Sequence, residues 1–354
     1  MTSVQPTVDD RGRALAATAG ARRRALTVAG AIACIAIAVL LSLAFGSRTV
    51  SFAEIADGLT SWVQGRTPAD IGAIAVQERI PRTVLAIIAG AALALSGALM
   101  QAITRNPIAD PGILGVNTGA ALAVVIGIAF FGITSPYEYL WLALGGAIIT
   151  AIFVYNVGSV GPGGSTPIKL ALAGAATTAA LSSLVSAVLL PRIAAMDTFR
   201  FWQVGGVGGA DWGTMTVIAP LLVASAVIAL ICAPALNALS LGDDVAAGLG
   251  VHIGRTRLLA AAAGVVLCAA VTAVAGPIAF VGLMIPHVVR MLVGPDQRWV
   301  LPLSALGGAV LLTLADTIGR LIGYPGETEA GIVTAFVGAP VLVFIARRTR
   351  MKAL

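Results

Sequence analysis

Long apolar runs, broken by Gly, Pro and clustered charge, follow one another along almost the whole chain. They occupy residues 25–45, 83–103, 113–132, 140–158, 167–190, 214–236, 258–275, 277–293, 300–322 and 331–346. Most approach the roughly 20 residues that a helix needs to cross the hydrocarbon core of a bilayer. The pattern predicts an all-α polytopic membrane protein with about ten transmembrane helices. The seventh and eighth runs are nearly fused, with only Gly276-Pro277 between them.

Residues 1–24 are polar and end in Arg22-Arg23-Arg24. The run after them is longer than the roughly 7–15 apolar residues of a cleavable signal. We therefore expect an uncleaved first span behind a basic cytosolic tail. Ten spans place the C-terminus on the same side as the N-terminus. Fifteen of the 22 Lys and Arg residues then lie inside and seven outside, as the positive-inside rule requires. The expected organisation is a tail over 1–24, a transmembrane domain over 25–346 with a cytosolic loop at 239–257, and a basic cytosolic tail over 347–354. The expected location is the cytoplasmic membrane.

The chain also repeats itself. Pro107-Ile108-Ala109-Asp110-Pro111-Gly112 follows the second run and Pro277-Ile278-Ala279-Phe280-Val281-Gly282 follows the seventh. Five spans intervene, so the two copies face opposite sides of the membrane. That is the arrangement of an inverted repeat, which transporters use to place a pathway between two halves.

Composition narrows the function. The chain is 58% hydrophobic and only 11% charged, with mean hydropathy +0.97, whereas soluble domains are about a quarter charged. The net charge of +6 sits at the ends of apolar runs, which reads as topology rather than nucleic-acid binding. Cys34, Cys232 and Cys268 lie in apolar runs without CxxC spacing, and there are two histidines, so neither disulfides nor a metal site is expected. No Gly-Lys dipeptide occurs, which removes the GxxxxGK[ST] phosphate loop. Gly206-Val207-Gly208 has Asp211 where a GxGxxG needs its third glycine. Neither HExxH nor a Ser/His/Asp arrangement is present. The chain is expected to bind no cofactor and to pass a solute rather than catalyse a reaction. Acidic residues cluster at run ends and loops, with Asp316 nearest to mid-span; a proton relay would need more of them inside spans.

Three segments carry the candidate chemistry. Gln101 to Ala120 stops one helix and starts the next through Asn106, Pro107, Pro111, Gly112 and Gly115. Backbone freed at membrane depth must be satisfied by protein, so this turn is expected inside the bundle. Gly115 and Gly119 form GxxxG, which permits close helix approach. In the second segment, Leu241-Gly242-Asp243-Asp244-Val245 through Leu249-Gly250 reads as a short amphipathic helix. Its acidic first turn and glycine stop bound it, and its two aspartates favour a protein partner over an anionic lipid surface. Third, Arg79, Arg82 and Arg320 are expected hydrated at the outer face, with Asp316 and Arg320 paired at i, i+4.

Taken together, several stretches resemble the iron-siderophore and cobalamin permease family of ABC importers (the FecCD/BtuC type). They are Arg79-Ile80-Pro81-Arg82, Gln101 to Ala120, Leu241 to Val251, Gly276-Pro277 through Gly282 to Pro286-His287, and Gly331 to Pro340. The resemblance covers roughly residues 45–346. It implies ten helices per subunit, a path between two permease subunits of the same or a related chain, and a cytosolic ATPase dimer that uses ATP and Mg. It also implies an extracytoplasmic substrate-binding protein and, as substrate, a ferric siderophore, with haem or cobalamin as alternatives. By the same resemblance residues 241–253 dock an ATPase, Arg79, Arg82 and Arg320 meet the binding protein, and the fifth and tenth spans line the path. One departure stands out: Glu327-Thr328-Glu329-Ala330-Gly331 has Glu329 where the family commonly has proline, which favours iron over cobalamin. A reading from another class is a secondary transporter or channel working alone.

Overall fold

The computed structural model describes residues 8–46, 48–161, 167–323 and 326–350. Thirteen α-helices and no strands occur among them. They are α1 Val8–Ala44, α2 Phe52–Val63, α3 Ile71–Thr104, α4 Val116–Phe131, α5 Pro136–Ser159, α6 Pro167–Leu189 and α7 Ile193–Val204. After these come α8 Trp212–Ser240, α9 Asp243–Gly248, α10 Ile253–Ala275, α11 Val281–Val293, α12 Gln297–Ile322 and α13 Ala330–Arg350. A 3-10 turn, Pro111–Leu114, precedes α4.

All ten apolar runs became helices: α1, α3, α4, α5, α6, α8, α10, α11, α12 and α13. Seven of these are long and apolar enough to cross a membrane, whereas Val116–Phe131, Val281–Val293 and Ala330–Val343 are shorter apolar helices. At 1.5 Å per residue, α4 is about 24 Å long and α11 about 20 Å, short of a bilayer core of about 30 Å. Both follow a copy of the P-I-A motif. Short, interrupted helices at matching places in two halves point to the transport pathway.

Packing follows the repeat. Matching α3–α6 with α10–α13, helix by helix, pairs each first-half contact with one in the second half. The helix pair α3–α12 answers to α10–α5, α4–α5 to α11–α12, and α4–α6 to α11–α13. Likewise α5–α6 answers to α12–α13 and α3–α11 to α10–α4, while α3 and α10 pack on each other at the centre. A pseudo-two-fold axis between α3 and α10 therefore organises the bundle, and the two central helices run antiparallel. The inverted repeat is a property of the fold.

Small residues set how closely these helices approach, as expected where lipid supplies no hydrophobic drive between them. A Cβ on Gly119 of the GxxxG motif would lie 2.6 Å from the Gly146 carbonyl oxygen of α5. Gly90 of α3 and Gly308 of α12 each sit against the other's carbonyl. We expect Gly90→Val to lower stability by about 1–3 kcal/mol or more, as overpacking does. Gly145→Ala, with nothing near its Cβ position, should leave the melting temperature of the solubilised chain unchanged or raise it slightly.

Two expectations about boundaries change. The second span does not begin at residue 83. Asp70 caps α3 by accepting from Gly72 N at 2.9 Å and Ala73 N at 3.1 Å, and the helix passes through Pro81. Pro81 therefore lies within the helix. Two further helices, α2 and α7, lie where the apolar pattern predicted none.

Candidate functional site

One end of the bundle carries α9, at the position expected for the short helix. Gly242 turns the chain with φ 117, Asp243 opens the helix, and Gly250, with φ 80, follows its end. Ala246 is fully buried beneath it, whereas Leu241, Val245 and Leu249 are 64%, 49% and 64% exposed. Three apolar side chains four residues apart thus form a stripe facing away from the bundle. Asp243 behaves differently from its neighbour. Arg105, at the end of α3, ion-pairs with it and also donates to the Leu239 carbonyl. Arg257 of α10 donates to the two carboxylate oxygens at 3.0 and 3.1 Å. Of the two aspartates expected to favour a partner, Asp243 straps α9 to both central helices, and Asp244 is the more exposed.

The helix breaks are satisfied by the protein's own groups, but the first does not lie wholly inside the bundle as expected. It sits at the α9 end, where Arg105 reaches Asp243, and is partly exposed. Asn106 Oδ1 accepts from Ile108 N at 3.1 Å, and Asp110 Oδ1 accepts from Gly112 N at 2.8 Å. Pro107 and Ile108 lie exposed, Ala109 is buried, and Pro111 and Gly112 open the 3-10 turn ahead of Gly115, whose φ is 70. The second break, Gly276 to Phe280, is held by the α7–α8 loop. Gly206 N donates to Ala275 O at 2.8 Å, Gly331 N donates to Gly205 O at 3.0 Å, and Gly276 with φ 68 packs on the Trp202 carbonyl. The breaks meet in the bundle, where Gly282 lies beside Gly97 and faces Asp110: a Cβ on it would stand 3.1 Å from Asp110 Oδ2. Pro286 lies farther along α11.

Beside the second break is a cavity of about 230 Å³ lined by Asn117, Thr118, Ser182, Ser186, Gln203 and Pro277, among others. Thr272 of α10 donates to Asn117 Oδ1 at 3.1 Å. Its polar lining is hydroxyl and amide groups without charge, so it can hydrogen-bond a polar solute without trapping it electrostatically. Asn117 and Thr118 fall in the Gln101 to Ala120 stretch and Ser182 and Ser186 on the fifth span, whereas of the residues named one by one from the sequence only Pro277 lines it. At the end of the bundle opposite α9 a cavity of about 560 Å³ is lined by Asp197, Arg200, Val204 and Glu329. Burial pushes the Glu329 carboxyl above its ordinary pKa, against the pull of Arg82.

The same end holds Arg79, Arg82 and Arg320, and here the hydrated picture is corrected. Arg79 and Arg320 are buried, and Arg82 keeps only 12% of its side chain exposed. Arg82 Nε and Nη2 donate to Asp316 at 2.8–3.1 Å, and Nη1 to Glu327 Oε2 at 2.6 Å. Arg320 pairs with the same Asp316 at 3.1 Å, the expected i, i+4 pair. It also donates to the carbonyls of Ser42 and Phe45 at 3.0 and 2.9 Å. Arg79 donates to the carbonyls of Leu43 and Arg48 at 2.7 and 2.6 Å. These carbonyls end α1 and begin the next turn, where a helix leaves acceptors unsatisfied. The cluster therefore clasps the end of α1 against α3 and the last turns of α12.

Comparison with known proteins agrees with this architecture. The profile described as the FecCD transport family matches residues 34–348. The chain is 45% identical to the ferric enterobactin transport system permease protein FepD of Escherichia coli, over 92% of this chain and 96% of that one. It is 44% identical to the iron(3+)-hydroxamate import system permease protein FhuB of Bacillus subtilis, over 77% and 71%. It is 36% identical to the hemin transport system permease protein HmuU of Yersinia pestis, over 77% and 82%. Among solved structures, an inward-facing metal-chelate type ABC transporter superimposes with TM-score 0.78 at 28% identity, covering 92% of this chain and 99% of that one. With ten apolar helices in an inverted repeat and a family profile that spans nearly all of them, the chain belongs to the FecCD transport family.

Proposed function

We propose that this chain is the permease subunit of an ABC importer and carries a ferric siderophore across the cytoplasmic membrane. The observation that carries the substrate is similarity over almost the full length to FepD, whose name specifies ferric enterobactin. The α9 end faces the cytosol in this reading, and both termini are cytosolic. The stripe Leu241, Val245 and Leu249 docks in a groove of a separate ATPase subunit, which hydrolyses ATP with Mg. No phosphate loop in this chain could do so. The apolar stripe faces away from the bundle, as a groove-binding helix requires. A second permease subunit covers the exposed faces of α6 and α13, with the path between them. An extracytoplasmic binding protein delivers the substrate to the arginine-bearing end. Arg79 and Arg320 are committed within the chain, so an acidic residue of that protein reaches Arg82 only by displacing Glu327, which is 43% exposed.

The test is uptake. Proteoliposomes holding the chain with its genomic neighbours should accumulate iron-loaded siderophore only with ATP and binding protein. Accumulation of haem instead would favour the HmuU-like reading, and uptake without ATPase would sink the importer reading. Orientation is checked by single cysteines in a Cys-free background. Tyr137→Cys should label from outside, and Val160→Cys only after permeabilisation.

A further inference from the structure

From residue 22 onward the first helix buries its C-terminal part more deeply than the part before it. Toward its C-terminal end Ala38, Ser42 and Leu43 are buried, whereas Leu26 and Ile32 are 63% and 57% exposed. Before that, Val28 and Ala31 pack only partly buried against α11 and α12, and a groove of about 910 Å³ runs beside them. Leu26, Ala31, Ile285, Val288, Leu303 and Leu311 supply apolar walls, and Gly30 and Gly307 widen it. Arg22 and Arg23 stand at its mouth. Arg23 Nη2 donates to the Met291 carbonyl at 2.9 Å, which pins one arginine across the opening. The next residue, Arg24, lies over the Trp299 ring at 5.4 Å. Asp296, the carboxylate that caps α12, is engaged by Asn237 at 2.6 Å and by Arg298 N at 3.0 Å.

We propose that this groove is a binding site for one anionic glycerophospholipid, with the acyl chains along α1 and the phosphate on Arg22 and Arg23. The groove is apolar along its length and cationic at one end, which matches the two ends of such a lipid. Basic pockets between membrane helices on the cytoplasmic side favour anionic headgroups. A zwitterionic lipid fits the walls equally well but gains less at the mouth. The placement in the cytoplasmic leaflet rests on the orientation proposed above, whereas the binding test does not, so the two can fail separately.

The experiment is native mass spectrometry of the full-length solubilised chain with palmitoyl-oleoyl phosphatidylglycerol or phosphatidylcholine. We expect one phosphatidylglycerol to be retained, with about thirtyfold preference over phosphatidylcholine, the order that two surface arginines provide. Arg22→Gln/Arg23→Gln should bring the preference close to unity. Arg22→Gln alone, which keeps the Arg23–Met291 bond, should remove part of it and serves if the double variant does not fold. Gly30→Leu, where nothing lies near the Cβ position, fills the groove and should reduce retention of both lipids. Cys34 lines the groove and is exposed, while Cys232 and Cys268 are buried. Bound phosphatidylglycerol should therefore slow maleimide labelling of the wild-type chain. Equal retention of the two lipids, an unchanged preference in the arginine variants, or a Cys34–Cys34 cross-link between two copies in place of protection would each overturn the proposal.

Discussion

Replacing Asp316 with alanine should destabilise the chain more than any other single change at the arginine cluster, by about 3–5 kcal/mol. Its carboxylate is 1% exposed and lies between the guanidinium groups of Arg82 and Arg320. Truncation leaves two buried cations facing each other. Water cannot replace the lost charge at so enclosed a site, and an uncompensated buried charge is the costly outcome of breaking such a pair. Glu327→Gln is the control. Glu327 is 43% exposed, its attraction to Arg82 is screened by solvent, and the loss should stay below about 1 kcal/mol. Both variants can be followed by size-exclusion chromatography of the solubilised chain after stepped heating. A melting temperature for Asp316→Ala within a degree or so of wild type would show that the clasp is not structural. That result would return the three arginines to the docking role the resemblance implied.

The error about those arginines shows what kind of information the linear pattern holds. The i, i+4 pair Asp316–Arg320 is a local relation and could be read directly. The Arg82–Asp316 pair spans 234 residues, and the carbonyl acceptors at Ser42 and Phe45 are backbone groups that no side-chain pattern marks. The long apolar runs were legible because a bilayer imposes length and hydrophobicity together. α2 and α7 escaped the same search, since a 12-residue helix is too short to register as a span. For α2 a signal existed: Ser51 and Glu54 form a capping box, with Glu54 N donating to Ser51 Oγ at 3.3 Å and Ser51 N to Glu54 at 2.6 Å. Ser-x-x-Glu before an amphipathic stretch is a sequence-level helix start. For α7 the N-cap, Arg192, makes no side-chain cap bond, so no comparable mark was available. The helix-break motifs were legible as breaks, because proline and glycine announce them. What fills the second break, the Gly205-Gly206 loop, came only from the three-dimensional arrangement.

Charge reversal at Asp243 should cut uptake by more than about tenfold, equivalent to roughly 1.4 kcal/mol of coupling, while reversal at Asp244 has a much smaller effect. The two residues are neighbours with the same chemistry, yet only Asp243 is held by Arg105 and Arg257. Those partners terminate α3 and begin α10, the two helices beside the pseudo-two-fold axis. A displacement of α9 by a docked ATPase would thus be transmitted through one carboxylate to the centre of the bundle. The three side chains are each more than a third exposed, so their ion pairs add little to stability, and Asp243→Lys should insert and melt like wild type. Its effect is on transmission: α9 keeps the stripe Leu241, Val245 and Leu249 but loses its fixed angle to the helices behind it. ATPase co-purification should therefore persist in Asp243→Lys while ATP-driven uptake in proteoliposomes falls. In contrast, Leu249→Asp should release the ATPase itself, because a charge buried in an apolar groove is left without a partner. Equal uptake by Asp243→Lys and Asp244→Lys would show that the strap carries no motion. Retention of the ATPase by Leu249→Asp would show that the exposed stripe is not where it docks.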